Sequence, residues 1–168
     1  VWNKFGEQNM RLILVGCEYA GTTTLAETIS EWAKGAMGGN FGFHDHWKIP
    51  HISHPPELTD EERDQFMALS PNIKEMFQRY HMEYHLSTGF YGDPHHNSVG
   101  FHIDEAVYAP LYYGYGQAGE YGDRSQAARK TEAHIMEVAP DTVLVLVRAA
   151  PEVIRQRMKE NPHPNGLV

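Results

Sequence analysis

A chain of 168 residues is long enough to bury one core of ordinary domain size without covalent staples. Its hydrophobic fraction of 41% and aromatic fraction of 11% lie in the globular range and exclude a disordered chain. A formal charge of −8 argues against binding a nucleic-acid polymer through its backbone, which needs Lys and Arg to displace counterions, so an anionic ligand must be held by local donors.

Residues 11–16, Arg-Leu-Ile-Leu-Val-Gly, form a short apolar run that stops at a glycine, and in residues 22–34 Leu25, Ile29 and Trp32 recur near helical spacing. The pattern predicts strand, loop, helix. Gly35, Gly38, Gly39 and Gly42 make the next stretch a loop through backbone entropy, after which residues 43–47 predict a second short strand. Pro55 and Pro56 exclude a helix interior across residues 51–57. Thr59-Asp-Glu-Glu62 has the form of a capping box and predicts a helix to about Leu69. Ser70-Pro71 starts another as N-cap and first-turn proline, and in it Ile73, Met76, Phe77, Tyr80 and Tyr84 share one face.

Residues 89–97 read as a loop and residues 98–104 as a third strand that delivers Asp104 at its C-terminal end. The Tyr- and Gly-rich residues 107–121 read as irregular, with one helical turn near Ala109. A helix over residues 123–138 precedes Pro140, residues 142–148 predict the fourth strand, and Pro151 opens a last helix. The longest apolar run, residues 143–147, is a buried strand by length and falls far short of the roughly 18 residues of a membrane span. The first residues hold one Lys and no apolar stretch, so they do not read as a secretory signal, and the single thiol, Cys17, predicts a reducing, cytoplasmic setting. Strands alternating with helices imply a single α/β domain with a parallel sheet flanked by helices on both faces.

The segment Gly16, Cys17, Glu18, Tyr19, Ala20, Gly21, Thr22, Thr23, Thr24 keeps the spacing of the phosphate-loop pattern G-x-x-x-x-G-K-[ST] between a predicted strand and a predicted helix. Glycines at both ends let successive amides turn inward, and the helix N-terminus beyond adds a partial positive charge. Thr22 stands where the pattern has lysine, whereas Thr23 keeps the hydroxyl that can ligate Mg²⁺. Three arrangements are compatible with the missing lysine. Another cation substitutes, Mg²⁺ and arginines suffice, or the domain binds a nucleotide without catalysis.

From Arg11 to about Lys159 the chain resembles the thymidylate kinase and deoxynucleoside kinase branch of the P-loop kinases. The phosphate loop carries part of the resemblance. A second part is His102-Ile-Asp104-Glu-Ala-Val-Tyr-Ala-Pro-Leu-Tyr-Tyr-Gly, which is similar to the family's third-strand segment with its Asp-Arg-Tyr motif, although Glu105 occupies the arginine position. Pro140-Asp-Thr-Val-Leu-Val-Leu-Val-Arg148 and the helix after it are similar to the family's fourth strand and arginine-bearing lid, with Arg155 and Arg157 where lid arginines begin. Phe77-Gln78 is similar to the site where deoxynucleoside kinases read a base with a glutamine amide. The resemblance implies a three-layer P-loop kinase fold; the family's fifth strand and closing helix have no counterpart in the matched residues, and either they lie outside this sequence or the chain is a shortened variant.

It also implies an ATP-dependent phosphotransferase that uses Mg²⁺ and a small nucleoside- or nucleotide-like acceptor, with neither a nucleic-acid polymer nor a membrane as partner. On that reading Asp45 is the carboxylate near the acceptor and Asp104 lies near the metal with Thr23. Arg148, Arg155 and Arg157 are candidate phosphate clamps through their planar guanidinium forks. Arg155 and Arg157 point about 200° apart on a helix, so one of them is a solvated charge. Arg79 would hold a phosphate on the acceptor or stand as an exposed helix charge, and His46 or Trp47 would line the acceptor pocket. His44, His46, His51 and His54 lie within eleven residues, and His44 and His46 share a strand face that could hold a metal. Tyr112 and its neighbours Tyr108, Tyr113, Tyr115 and Tyr121 either stack on a base or pack a domain edge or homodimer interface. The alternatives to a kinase are a nucleotide- or anion-binding domain without catalysis and a histidine-rich metal-binding protein.

Overall fold

The structure is a computed structural model and describes residues 9–38, 41–45, 58–87 and 95–162. The described residues form four strands and six α-helices: β1 (Met10–Val15), α1 (Thr22–Ala33), β2 (His44–Asp45), α2 (Asp60–Met67), α3 (Pro71–His85), β3 (His95–Val99), α4 (His102–Tyr108), α5 (Arg124–Val138), β4 (Val143–Leu146) and α6 (Pro151–Glu160). Wide helical turns extend α1 through Lys34–Gly38 and α4 through Ala109–Tyr113. The strands make one parallel sheet in the order β2-β3-β1-β4. The expected α/β class with a parallel sheet is therefore present.

Side chains alternate across a strand, so β1 feeds two layers. Ile13 and Val15 pack with Ile135 and Ala139 of the α5 end, and Met82 and Leu86 of the α3 end close the same cluster. On the other face α1 covers the sheet, where the amide of Asn97, in register with Leu12, donates to Ala26 O and to Ser30 Oγ. Leu14 and Ala26 are wholly buried there. Helices thus lie on both faces of the two central strands.

Local chemistry explains most boundaries. Thr59 and Glu62 form the expected reciprocal cap on α2: Glu62 N donates to Thr59 Oγ1 at 3.2 Å and Thr59 N to Glu62 Oε2 at 2.8 Å. Asp123 caps α5 through the amides of Ser125 and Gln126. Pro71 and Pro151 occupy first turns, where a missing N–H costs nothing.

Several expectations need correction. The third strand is His95–Val99, not residues 98–104, because Gly100 and Phe101 both take positive φ and turn the chain into α4. Asp104 consequently sits in the first turn of a helix rather than at a strand end. Residues 95–97 belong to that strand rather than to a loop, whereas the helical turn expected near Ala109 is present as the wide turn Ala109–Tyr113. The apolar strand near Val143 is not buried. β4 is paired on one side only, and Leu146 is 65% exposed. The apolar stripe of α3 is likewise outward: Tyr80 is 66% exposed, and Ile73, Met76, Phe77 and Tyr84 are exposed beside it, while Lys74, Glu75, Gln78 and His85 are buried. Helix α3 therefore turns its polar face to the interior, where charged and hydrogen-bonding partners await it. Trp32, expected on the apolar face of α1, is exposed as well.

Candidate phosphate site

The loop from β1 to α1 lies at the C-terminal edge of the sheet, where ligands gather in open α/β folds. Gly16 is required by packing. A Cβ there would sit 2.7 Å from the carbonyl oxygen of Val147, so only glycine lets the ends of β1 and β4 approach. Tyr19 and Gly21 take positive φ, 63° and 101°, which folds the loop back toward the first turn of α1.

The loop's donors are fewer than the sequence suggests. Ala20 N donates to Cys17 O at 3.0 Å, and the backbone of Glu18 hydrogen-bonds the Tyr108 phenol. Those two residues contribute no spare amide. No side chain caps α1, and among the described residues the amides of Gly21, Thr22 and Thr24 have no hydrogen-bond partner. Unbonded N–H groups at a helix start carry the positive end of the helix dipole.

A guanidinium of α6 lies against this loop. Arg157 Nη1 donates to the carbonyls of Tyr19 at 2.7 Å and Ala20 at 3.3 Å, and the Tyr19 hydroxyl donates to Asn161 O at 2.8 Å. The outer side of the loop is thereby clamped to the last helix, and the Tyr19 ring serves that clamp. Arg155 is exposed elsewhere on α6, so the structure brings Arg157, and not Arg155, to the loop. Arg148 is exposed just beyond β4, on the same edge of the sheet as the loop.

Helix α4 borders the site. Burial raises the Tyr108 phenol above its ordinary range, and the carboxylates of Asp104 and Glu18 push it further up, which puts both acids in the neighbourhood of one hydroxyl. Asp45 ends the described part of β2 in register with Val99, also at the C-terminal edge. Thr23 is exposed in the first turn of α1. Among the described residues no group of three His, Cys, Asp or Glu could hold a metal ion. His46, Trp47, His51 and His54 lie outside the described residues.

The remaining candidates have other work. Gln78 is 2% exposed, on the inner face of α3, with its Oε1 3.4 Å from His81 Nδ1. His44 Nε2 meets His85 Nε2 at 2.8 Å, so one ring donates and the other accepts, and the pair ties β2 to α3. The tyrosine-rich stretch divides: Tyr108, Tyr113 and Tyr115 are buried, whereas Tyr112 is stacked on Tyr108 at 5.5 Å and exposed, and Tyr121 is exposed. Glu105, at the arginine position of the family motif, is a structural residue. It accepts from the Tyr115 hydroxyl at 2.7 Å and from Arg124 Nε at 3.1 Å, and Arg124 also reaches Glu75. Burial raises the Glu105 carboxyl, and Tyr115 and Arg124 oppose that shift. Arg79 pairs with Glu75 at 3.3 Å, one turn away.

Sequence reasoning missed His102 and Arg124. Both are buried; Arg124 lies in no motif, and His102 opens the segment that resembles the Asp-Arg-Tyr motif without a role of its own in it. No family model matches the chain, and neither a curated protein nor a solved structure matches it.

Proposed function

We propose that the chain is a phosphate-loop domain that binds ATP with Mg²⁺ and transfers its γ-phosphoryl group to a small nucleoside- or nucleotide-like acceptor. The observation that carries the reading is the union of an uncapped α1 N-terminus with the Arg157 guanidinium on one strand-to-helix loop, at the C-terminal edge of a parallel sheet. Phosphoryl transfer needs positioning and positive charge rather than covalent chemistry from the protein. The amides of Gly21, Thr22 and Thr24 would orient the phosphate chain. Arg157 would supply the positive charge that Thr22 lacks, since it already lies against the loop. Thr23 and Asp104 would hold Mg²⁺, which characteristically takes few protein ligands and keeps waters and phosphate oxygens, and which would neutralise charge on the phosphates. Asp45 would accept the proton of the acceptor hydroxyl.

Cytoplasmic location fits this reading, and no helix among the described residues is long and apolar enough to cross a membrane. A second reading, nucleotide binding without transfer, is favoured by the absence of a lysine at position 22 and of an arginine at position 105. Incubation of the full chain with γ-labelled ATP, Mg²⁺ and a panel of nucleosides and nucleoside monophosphates separates the two. Label in a panel acceptor supports transfer. ATP binding with no labelled product supports the second reading, and no binding at all rejects both.

A further inference from the structure

On α3, Ile73, Phe77, Tyr80 and Tyr84 recur at intervals of four, three and four, with Met76 beside them. That is the period of a coiled-coil seam, and it draws a straight apolar stripe along the helix. Every residue of the stripe is exposed, Phe77 by 48%, Tyr80 by 66% and Tyr84 by 51%. Soluble proteins rarely leave a stripe of this kind to water unless something docks on it.

The stripe is held in shape before any partner arrives. Phe66 of α2 packs edge-on against Phe77, with ring centroids 5.7 Å apart. The Arg79 guanidinium lies over the Tyr80 ring, 5.7 Å from its centroid, and is itself anchored by Glu75 one turn back. Rings fixed in this way lose little freedom on docking. Tyrosine, phenylalanine, methionine and arginine are also the residue types enriched where proteins meet.

The period, charges and area of the stripe all fit a second copy of the chain. A seam that repeats by fours and threes accepts a helix with the same repeat, and α3 of another copy supplies it. Laid antiparallel across a two-fold axis between Phe77 and Tyr80, the contact is self-complementary, with Phe77 against the second copy's Tyr80 and Ile73 against its Tyr84. Arg79 and Glu83 are exposed along one flank of the stripe, and the Glu83 carboxylate has no ion pair among the described residues. The two-fold reverses the order of that flank, so the acid of each copy runs beside the base of the other. At about 150–250 Å² for a full aromatic side chain, the stripe offers about 500 Å². A two-fold pair buries about 1,000 Å², about where specific interfaces begin.

We propose that α3 is the face on which two copies of this chain pair, antiparallel about a two-fold axis, as a reversible dimer. The pairing does not rest on the phosphate-loop reading. Sedimentation equilibrium of the full chain, under reducing conditions because Cys17 is exposed, should show association to twice the monomer mass between about 1 and 300 µM, the strength of a small interface. Tyr80→Glu, at the centre of the stripe, should leave a monomer over the same range, with a thermal midpoint little changed because the position is exposed. Glu83→Arg puts like charges together across the axis and should weaken dimerisation about tenfold. Hydroxyl-radical footprinting of the unaltered chain should find Met76 and Tyr80 protected at high concentration and reactive on dilution. A chain that stays monomeric throughout, a dimer that survives Tyr80→Glu, or a Glu83→Arg dimer as tight as the original would overturn the proposal. So would a footprint at Met76 and Tyr80 that does not change with concentration, as when another segment of the same chain covers the stripe. The footprint is read on the unaltered chain, so it decides the question even if Tyr80→Glu does not fold.

Discussion

Arg157 Nη1 lies 2.7 Å from the carbonyl oxygen of Tyr19, joining two residues 138 positions apart in the chain. The contact fastens the last helix to the loop between β1 and α1 and sets a positive charge beside a loop that has no lysine of its own. Arg157→Met keeps the aliphatic stem and removes the charge. Calorimetric titration with ATP and Mg²⁺ should show affinity reduced about 10- to 100-fold, the range expected for a lost hydrogen bond to a charged group. Arg157→Lys should recover part of the loss, because it restores charge without the fork. The thermal midpoint should change little in either variant, since Arg157 is exposed.

The buried network of Glu75, Arg124, Glu105 and Tyr115 makes a different prediction. Arg124→Met leaves two buried carboxylates without their shared guanidinium, and breaking a buried pair in this way costs about 3–5 kcal/mol. Glu105→Gln should cost less, because the amide oxygen still accepts from Tyr115. Urea unfolding of the two variants gives the order directly.

Gly16→Ala tests the close approach of β1 and β4. The added methyl would meet the Val147 carbonyl at 2.7 Å, and backbone cannot rotate away as a side chain can. A loss of about 1–3 kcal/mol is expected from such overpacking, again by urea unfolding. Gly35→Ala is the control: nothing lies within 4 Å of its added methyl, and the change should be neutral or mildly stabilising.

Stability should depend on pH through His102. Burial lowers its pKa from 6.5 to about 4, so the unfolded chain binds a proton that the folded chain refuses between those values. The contribution is complete above pH 6.5 and is lost as pH falls toward 4, by about 3 kcal/mol. His85 is also shifted down by burial and acts in the same direction. His102→Phe should flatten the stability profile over that interval relative to the unaltered chain.

What could be read from the sequence was what local chemistry decides. The capping box at Thr59 and Glu62, the proline starts of α3 and α6 and the apolar β1 run all depend on neighbours within a few residues. The α3 face was legible in spacing but not in direction. Period alone cannot say that Lys74, Glu75, Gln78 and His85 turn inward, because that depends on Arg124 and His44, which are distant in sequence. The third strand starts before its apolar pattern does, because His95, His96 and Asn97 carry no apolar alternation and only pairing with β1 makes them a strand. The strand-to-helix loop with Gly16 and Gly21 at its ends is legible in the sequence. The sequence offers Arg148, Arg155 and Arg157 alike as phosphate clamps, and only the contact with Tyr19 singles out Arg157 as the one against the loop.

The most direct test of the phosphate-site reading is an amide-resolved NMR titration of the full chain with a non-hydrolysable ATP analogue and Mg²⁺. Saturable shifts concentrated at Gly21, Thr22 and Thr24, and weakened by Arg157→Met, are the predicted result. Unmoved amides at those three positions under saturating nucleotide, or shifts confined to another part of the chain, would contradict it.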